Sequence, residues 1–184
     1  MITLEQLRDF MKQASGITNF GELDTIERFV TPVLELSGWS IESLNPMYLL
    51  RGNRDNRSAN RRFDIELYLP TNEYPKFVFE CKKLHANIQL IGKGSSDNLS
   101  DHSDFVRQLR NDCLNSNFKY KPGWSVPVLT NGQHWIIFKK AFTDNKRKNE
   151  NISEQNMNDF ILTDCNIGDD NFTKIIETLR FKDA

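Results

Sequence analysis

The sequence predicts an α/β fold in which a sheet is flanked by helices. Two alternating segments, 63–69 and 76–82, surround a turn with a proline at each end. A second strand pair surrounds Thr130-Asn131-Gly132, and amphipathic stretches precede, separate and follow these strands. Thirteen Phe and three Trp in 184 residues, with 38% hydrophobic and 27% charged residues, supply a core without help from disulfides. The length predicts one domain spanning 1–184.

Taken in order, Leu4, Leu7, Phe10 and Met11 stand three and four apart, which predicts a helix over 4–14 ended by Gly16. A broad apolar stripe (Leu23, Ile26, Phe29, Val30, Val33) predicts a second helix over 21–37. Pro32 is expected to disturb it and Gly38 to stop it. PMYLLR at 46–51 suits a short strand, and 52–62 reads as an exposed basic loop. In FDIELYL at 63–69, Phe63, Ile65, Leu67 and Leu69 are expected on one face, with Asp64, Glu66 and Tyr68 on the other. In KFVFECK at 76–82, Phe77, Phe79 and Cys81 oppose Val78, Glu80 and Lys82. The two segments, joined by six residues, predict an antiparallel hairpin. Residues 84–101 read as a loop, 105–114 as a helix and 121–124 as a turn. Strands are expected at 124–129 and 134–139, joined through the Asn-Gly signal of a hairpin. A polar loop over 143–158, a last strand over 160–164 and a closing helix over 170–181 complete the chain.

Several function classes are excluded at this level. A formal net charge of −1 argues against a generally cationic, histone-like protein, although a local basic patch could still meet nucleic acid. Cys81, Cys113 and Cys165 form no CxxC pair, and His85, His102 and His134 form no HExxH. Neither a structural zinc site nor a disulfide framework is expected, and the cysteines suit a reducing cytosol. The N-terminal stretch lacks the apolar run of a signal peptide, and no segment approaches membrane-span length, so a cytoplasmic location is expected.

The chemistry concentrates on the 63–82 hairpin. Glu80 and Lys82 stand two apart on one strand and therefore project from one face. Pairing Ile65 with Phe79 and Leu67 with Phe77 aligns the apolar residues, and the same register sets Asp64 opposite Glu80 with Cβ atoms about 5 Å apart. A slip of one residue would send the acids to opposite faces. Two such carboxylates repel one another, a repulsion that a divalent cation relieves. Magnesium takes hard oxygen donors and keeps several waters, so Asp64 and Glu80 suffice as its ligands; manganese would be a substitute. Lys82 beside the ion could orient water or meet charge on a phosphate. These are the requirements of phosphodiester hydrolysis without a covalent intermediate. Just upstream, Arg51, Arg54, Arg57, Arg61 and Arg62 against one Asp55 form a candidate track for a DNA backbone.

The pattern of Asp64, fifteen residues, then Glu80-Cys81-Lys82 resembles the PD-(D/E)XK nuclease signature. ELDTIERFVTPVLELSGW at 22–39, FVFECKKL at 77–84 and VPVLTNGQHWIIFK at 126–139 are similar to elements of the N-terminal nuclease domain of type I restriction enzyme R subunits. They occur in the same order, over roughly residues 20–140. The resemblance implies a restriction-endonuclease-like αβββαβ core with a mixed central sheet, cutting DNA with Mg²⁺ in a restriction, defence or phage setting. Carried over by position, Asp64 and Glu80 would hold the metal and Lys82 would be the catalytic lysine. Glu22 would match the helix glutamate, with Glu27 its competitor, and Gln108 the helix glutamine. The tyrosine that the family places four residues after that glutamine is replaced here by Asp112. No G-x-x-x-x-G-K-[ST] motif occurs, so this chain encodes no ATP site, and a homodimer or a separate motor or specificity subunit is an expected partner. The competing readings are a non-catalytic nucleic-acid-binding module and an assembly subunit that retains the fold.

Overall fold

The computed structural model describes residues 3–14, 16, 21–40, 63–70, 72–84, 86, 88, 104–115, 120–138, 142, 157–161 and 170–181. The strand expected at 46–51, the arginine-bearing loop at 51–62 and most of the loops at 84–101 and 143–158 lie outside the described residues. The chain is a mixed α/β structure built on a five-stranded sheet in the order β1-β2-β3-β4-β5. Its strands are β1 (Ile65–Leu67), β2 (Phe77–Cys81), β3 (Val126–Thr130), β4 (His134–Phe138) and β5 (Met157–Ile161). Neighbours pair antiparallel except β2 and β3, which run parallel because helix α4 (Asp104–Leu114) lies between them in the chain. Among the described residues no helix is long and apolar enough to cross a membrane.

Both faces of the sheet are covered, which explains why its inner strands read as nearly continuous apolar runs. Along β4, Trp135 and Ile137 enter one core while Ile136 and Phe138 enter the other. The first core joins Ile65, Leu67, Phe77, Phe79 and Val128 to Leu7 of α1 (Leu4–Ala14), to Phe29, Val30 and Val33, and to Ile175 and Leu179 of α5 (Asp170–Leu179). The second packs Val78, Leu129 and Ile136 against Val106, Leu109 and Cys113 of α4. One expectation for 63–69 is corrected, because the regular strand begins only at Ile65. Phe63 does not share the face of Ile65 and Leu67; it precedes the strand and packs with Val78 in the second core. Glu66 lies opposite Val78, on the other face from Ile65 and Leu67 as expected, and is buried there: it is 2% exposed, and its Oε2 accepts a hydrogen bond from the Tyr68 hydroxyl at 2.8 Å.

The stretch 22–36 is helical but not uniformly so. It comprises α2 (Glu22–Thr25), a π-helical turn (Ile26–Val30) and α3 (Thr31–Leu36). In the widened turn the Thr31 amide donates to the Ile26 carbonyl. The widening falls directly before Pro32, whose ring would press on the Arg28 carbonyl in a regular α-helix and whose nitrogen has no proton to donate. The helix ends as its glycine predicts: Gly38 has φ 92°, its amide donates to the Glu35 carbonyl at 2.9 Å, and the Trp39 amide reaches the Leu34 carbonyl at 3.1 Å. Trp39 then donates through Nε1 to the Leu179 carbonyl at 2.6 Å and meets Phe181 edge-on, which latches α5 to this corner. The last strand lies at 157–161, three residues earlier than expected, as alternation in NDFILTD is too weak to define its ends.

Candidate active site

Strand pairing brings the candidate residues together at one end of the sheet. Ile65 pairs with Phe79 and Leu67 with Phe77, the expected register, but the regular pairing ends there: the amide of Asp64, in the bend before β1, also donates to the Phe79 carbonyl, at 3.0 Å. Asp64 therefore does not form the expected strand pair with Glu80, but its carboxyl lies close enough to Glu80 for their charges to interact. Its Oδ2 accepts a hydrogen bond from the Cys81 amide at 2.7 Å, which holds the carboxyl at the mouth of the hairpin. Cys81 itself points into the first core, as expected for the residue between Glu80 and Lys82.

Glu80 and Lys82 are buried, at 6% and 5% exposure, and the Lys82 ammonium donates to Glu80 Oε1. Gln108 of α4 reaches the same oxygen through Nε2 at 2.7 Å, and its own Oε1 lies 3.4 Å from Lys82 Nζ. Glu80, Lys82 and Gln108 therefore form one network between β2 and α4. Burial pushes the Asp64 carboxyl up from 3.8 to about 8, assisted by Glu80 and Glu22 and opposed by the Cys81 amide and Lys82. Burial also raises Glu80, against the attraction of Lys82 and with the help of Asp112 and Glu22. Two carboxyl groups that each resist ionisation are the expected signature of acids crowded into one partly dry site.

Glu22, half-buried at the first position of α2, belongs to this cluster by its electrostatic influence on both acids, whereas Glu27 is exposed. A clamp sets the position of α2. The Thr25 hydroxyl donates to the Gly21 carbonyl at 3.0 Å and accepts from the Leu84 amide at 2.8 Å, tying the helix start to the exit of β2. Gly132, at φ 85°, lets the β3–β4 turn press against the same helix: a Cβ there would come within 2.8 Å of Phe29 Cβ. The turn is braced by Asn131, whose Oδ1 accepts from the Gln133 and His134 amides and whose Nδ2 donates to the Ala86 carbonyl at 2.7 Å. The Lys82 amide donates to the Thr130 carbonyl at 2.8 Å. The Thr-Asn-Gly signal thus does more than reverse the chain; it braces Lys82 and Ala86.

Sequence reasoning singled out Asp64, Glu80, Lys82, Glu22 and Gln108, and the structure places all five around one cluster. The arginines at 51, 54, 57, 61 and 62 fall outside the described residues. Phe105, Asp112 and the clamp residue Thr25 were not singled out as site residues. Phe105 and Asp112 stand three residues before and four after Gln108, so helical spacing alone could have put them on its face. Nothing local in the sequence marks Thr25. Among the described residues no group of three or more His, Cys, Asp or Glu side chains is placed to hold a metal ion. No protein-family model, curated protein or solved structure matches this chain.

Proposed function

We propose that this chain is a magnesium-dependent DNA endonuclease with a restriction-endonuclease-like core, acting in restriction, defence or a phage setting. The observation that carries the reading is the approach of Asp64, just before β1, to Glu80 of β2, with the ammonium of Lys82 bonded between Glu80 and Gln108. The donor chemistry fits a hard divalent ion, since two carboxylates with water completing the shell are what magnesium ordinarily accepts. Asp64 and Glu80 would hold it, and when bound it would supply Lewis acidity toward a phosphate oxygen and lower the pKa of a water molecule.

The remaining roles fall to the chain's own groups. Lys82 carries a positive charge where negative charge develops on a phosphodiester in the transition state. Gln108 orients both Glu80 and Lys82 through its amide. Glu22 adds negative charge that acts on both acids and so favours a cation beside them. The arginine-rich stretch at 51–62 is proposed to follow the DNA backbone toward Asp64, with a second copy or a partner subunit providing the other strand's cut.

Cleavage of plasmid DNA with Mg²⁺ and with EDTA, comparing the parent protein with Asp64→Ala and Lys82→Ala, tests this reading. Metal-dependent cutting that both substitutions abolish is expected. Cutting that survives both removes the site, and DNA binding without any cutting points to a non-catalytic module.

A further inference from the structure

The contacts of Lys82 extend past its two oxygen partners. Its Nζ lies 5.2 Å from the centroid of the Phe105 ring, within the range of a cation–π contact. Phe105 sits in the first turn of α4, three residues before Gln108, and is half-buried against the second core. One helix face thus meets the same ammonium twice, with an aromatic ring and with an amide oxygen.

We propose that Phe105 is a positioning residue for Lys82, an inference that rests on the nuclease reading above. A lysine side chain has four rotatable bonds and gains nothing from proximity unless something holds its charge in place. Glu80 performs that task in the structure, through its Oε1. A carboxylate that shares its charge with a metal ion attracts an ammonium less, and the ion itself repels it. Under those conditions the contacts from α4 restrain Lys82. The Gln108 oxygen is distant at 3.4 Å, so the ring face carries much of the restraint. The negative quadrupole of the ring, not its bulk alone, is what the ammonium needs.

The inference separates shape from electronics, and so does its test. Phe105→Leu retains an apolar side chain against the second core but has no ring; Phe105→Tyr retains the ring. Thermal melts of both variants establish that they fold. In Mg²⁺-dependent DNA cleavage, Phe105→Leu is expected to lower kcat about five-fold with KM for DNA unchanged, and Phe105→Tyr to restore it. Independently of activity, the Lys82 side-chain methylene signals in NMR spectra should be displaced by the ring current in the parent and in Phe105→Tyr, and return toward ordinary lysine positions in Phe105→Leu. Cleavage by the parent with unchanged kcat in Phe105→Leu, or Lys82 signals indifferent to the substitution, overturns the role of Phe105 and leaves the nuclease reading standing. Absence of metal-dependent cleavage by the parent overturns both.

Discussion

Replacing Asp64 by Asn should stabilise the metal-free protein, and increasingly so as pH rises. The parent carboxyl keeps its proton up to about 8, against 3.8 as the ordinary value, because burial and Glu80 oppose its charge. The native state therefore binds a proton that the unfolded chain has already released, and the stability this contributes is complete below about pH 4 and lost as pH rises toward 8. At about 1.4 kcal/mol for each tenfold change in proton affinity, a fully sealed carboxyl raised from 3.8 to about 8 would lose about 6 kcal/mol. Asp64 is only half-buried and its repulsion is shared with Glu80, so about 2–3 kcal/mol is the expected loss above pH 8. An Asn side chain has no charge to lose, and its carbonyl oxygen can still accept from the Cys81 amide. Urea unfolding in EDTA over about pH 4 to pH 9 measures the difference. The variant should match the parent at the acid end and exceed it increasingly toward the alkaline end. If the two acids hold magnesium as proposed, the order should reverse in millimolar Mg²⁺, because an ion bound to both carboxylates would stabilise only the parent. A variant no more stable than the parent at alkaline pH in EDTA, or a difference that does not grow with pH, refutes the proposal that the two acids crowd one another.

Two further predictions concern the clamp around α2. Gly132→Ala places a Cβ within 2.8 Å of Phe29 Cβ at a positive φ, and should cost about 2 kcal/mol or more, read as a melting point lower by about 5 °C. Thr25→Val removes the acceptor for the buried Leu84 amide and should cost about 1–3 kcal/mol in chemical unfolding. Because Thr25 ties the helix start to the strand exit, the same variant should lower cleavage at temperatures where it remains folded.

The site was readable from the sequence to the extent that it depends on strand period. Alternation in 76–82 and the apolar match with Ile65 and Leu67 were enough to pair Ile65 with Phe79 and so bring Asp64 near Glu80, and the Asn131-Gly132 pair announced the second hairpin. Alternation failed at Phe63 because the regular strand starts only at Ile65, and the bend at Asp64 sends Phe63 to the second core. The contribution of α4 was only half readable. Gln108 stood out by resemblance, but Phe105 looks like any first-turn aromatic until the helix is docked on β2 and β3. Thr25 could not be found at all, since its value lies in an amide fifty-nine positions later.

The widened turn at Ile26–Val30 has a consequence for how this helix can vary. Each residue of an α-helix advances the azimuth by about 100°, so one surplus residue re-aims everything on one side of it relative to the other. Here the leading segment, with Glu22 and Thr25, is addressed to the hairpin tip and the exit of β2, while Val33 and Leu34 are addressed to the interior. The π turn is the gear between those two settings, and Pro32 keeps it engaged. Loss of a single residue from the turn would swing Glu22 about a quarter of a revolution off the acids and set the Pro32 ring against the carbonyl one turn before it; length here is as tightly specified as composition.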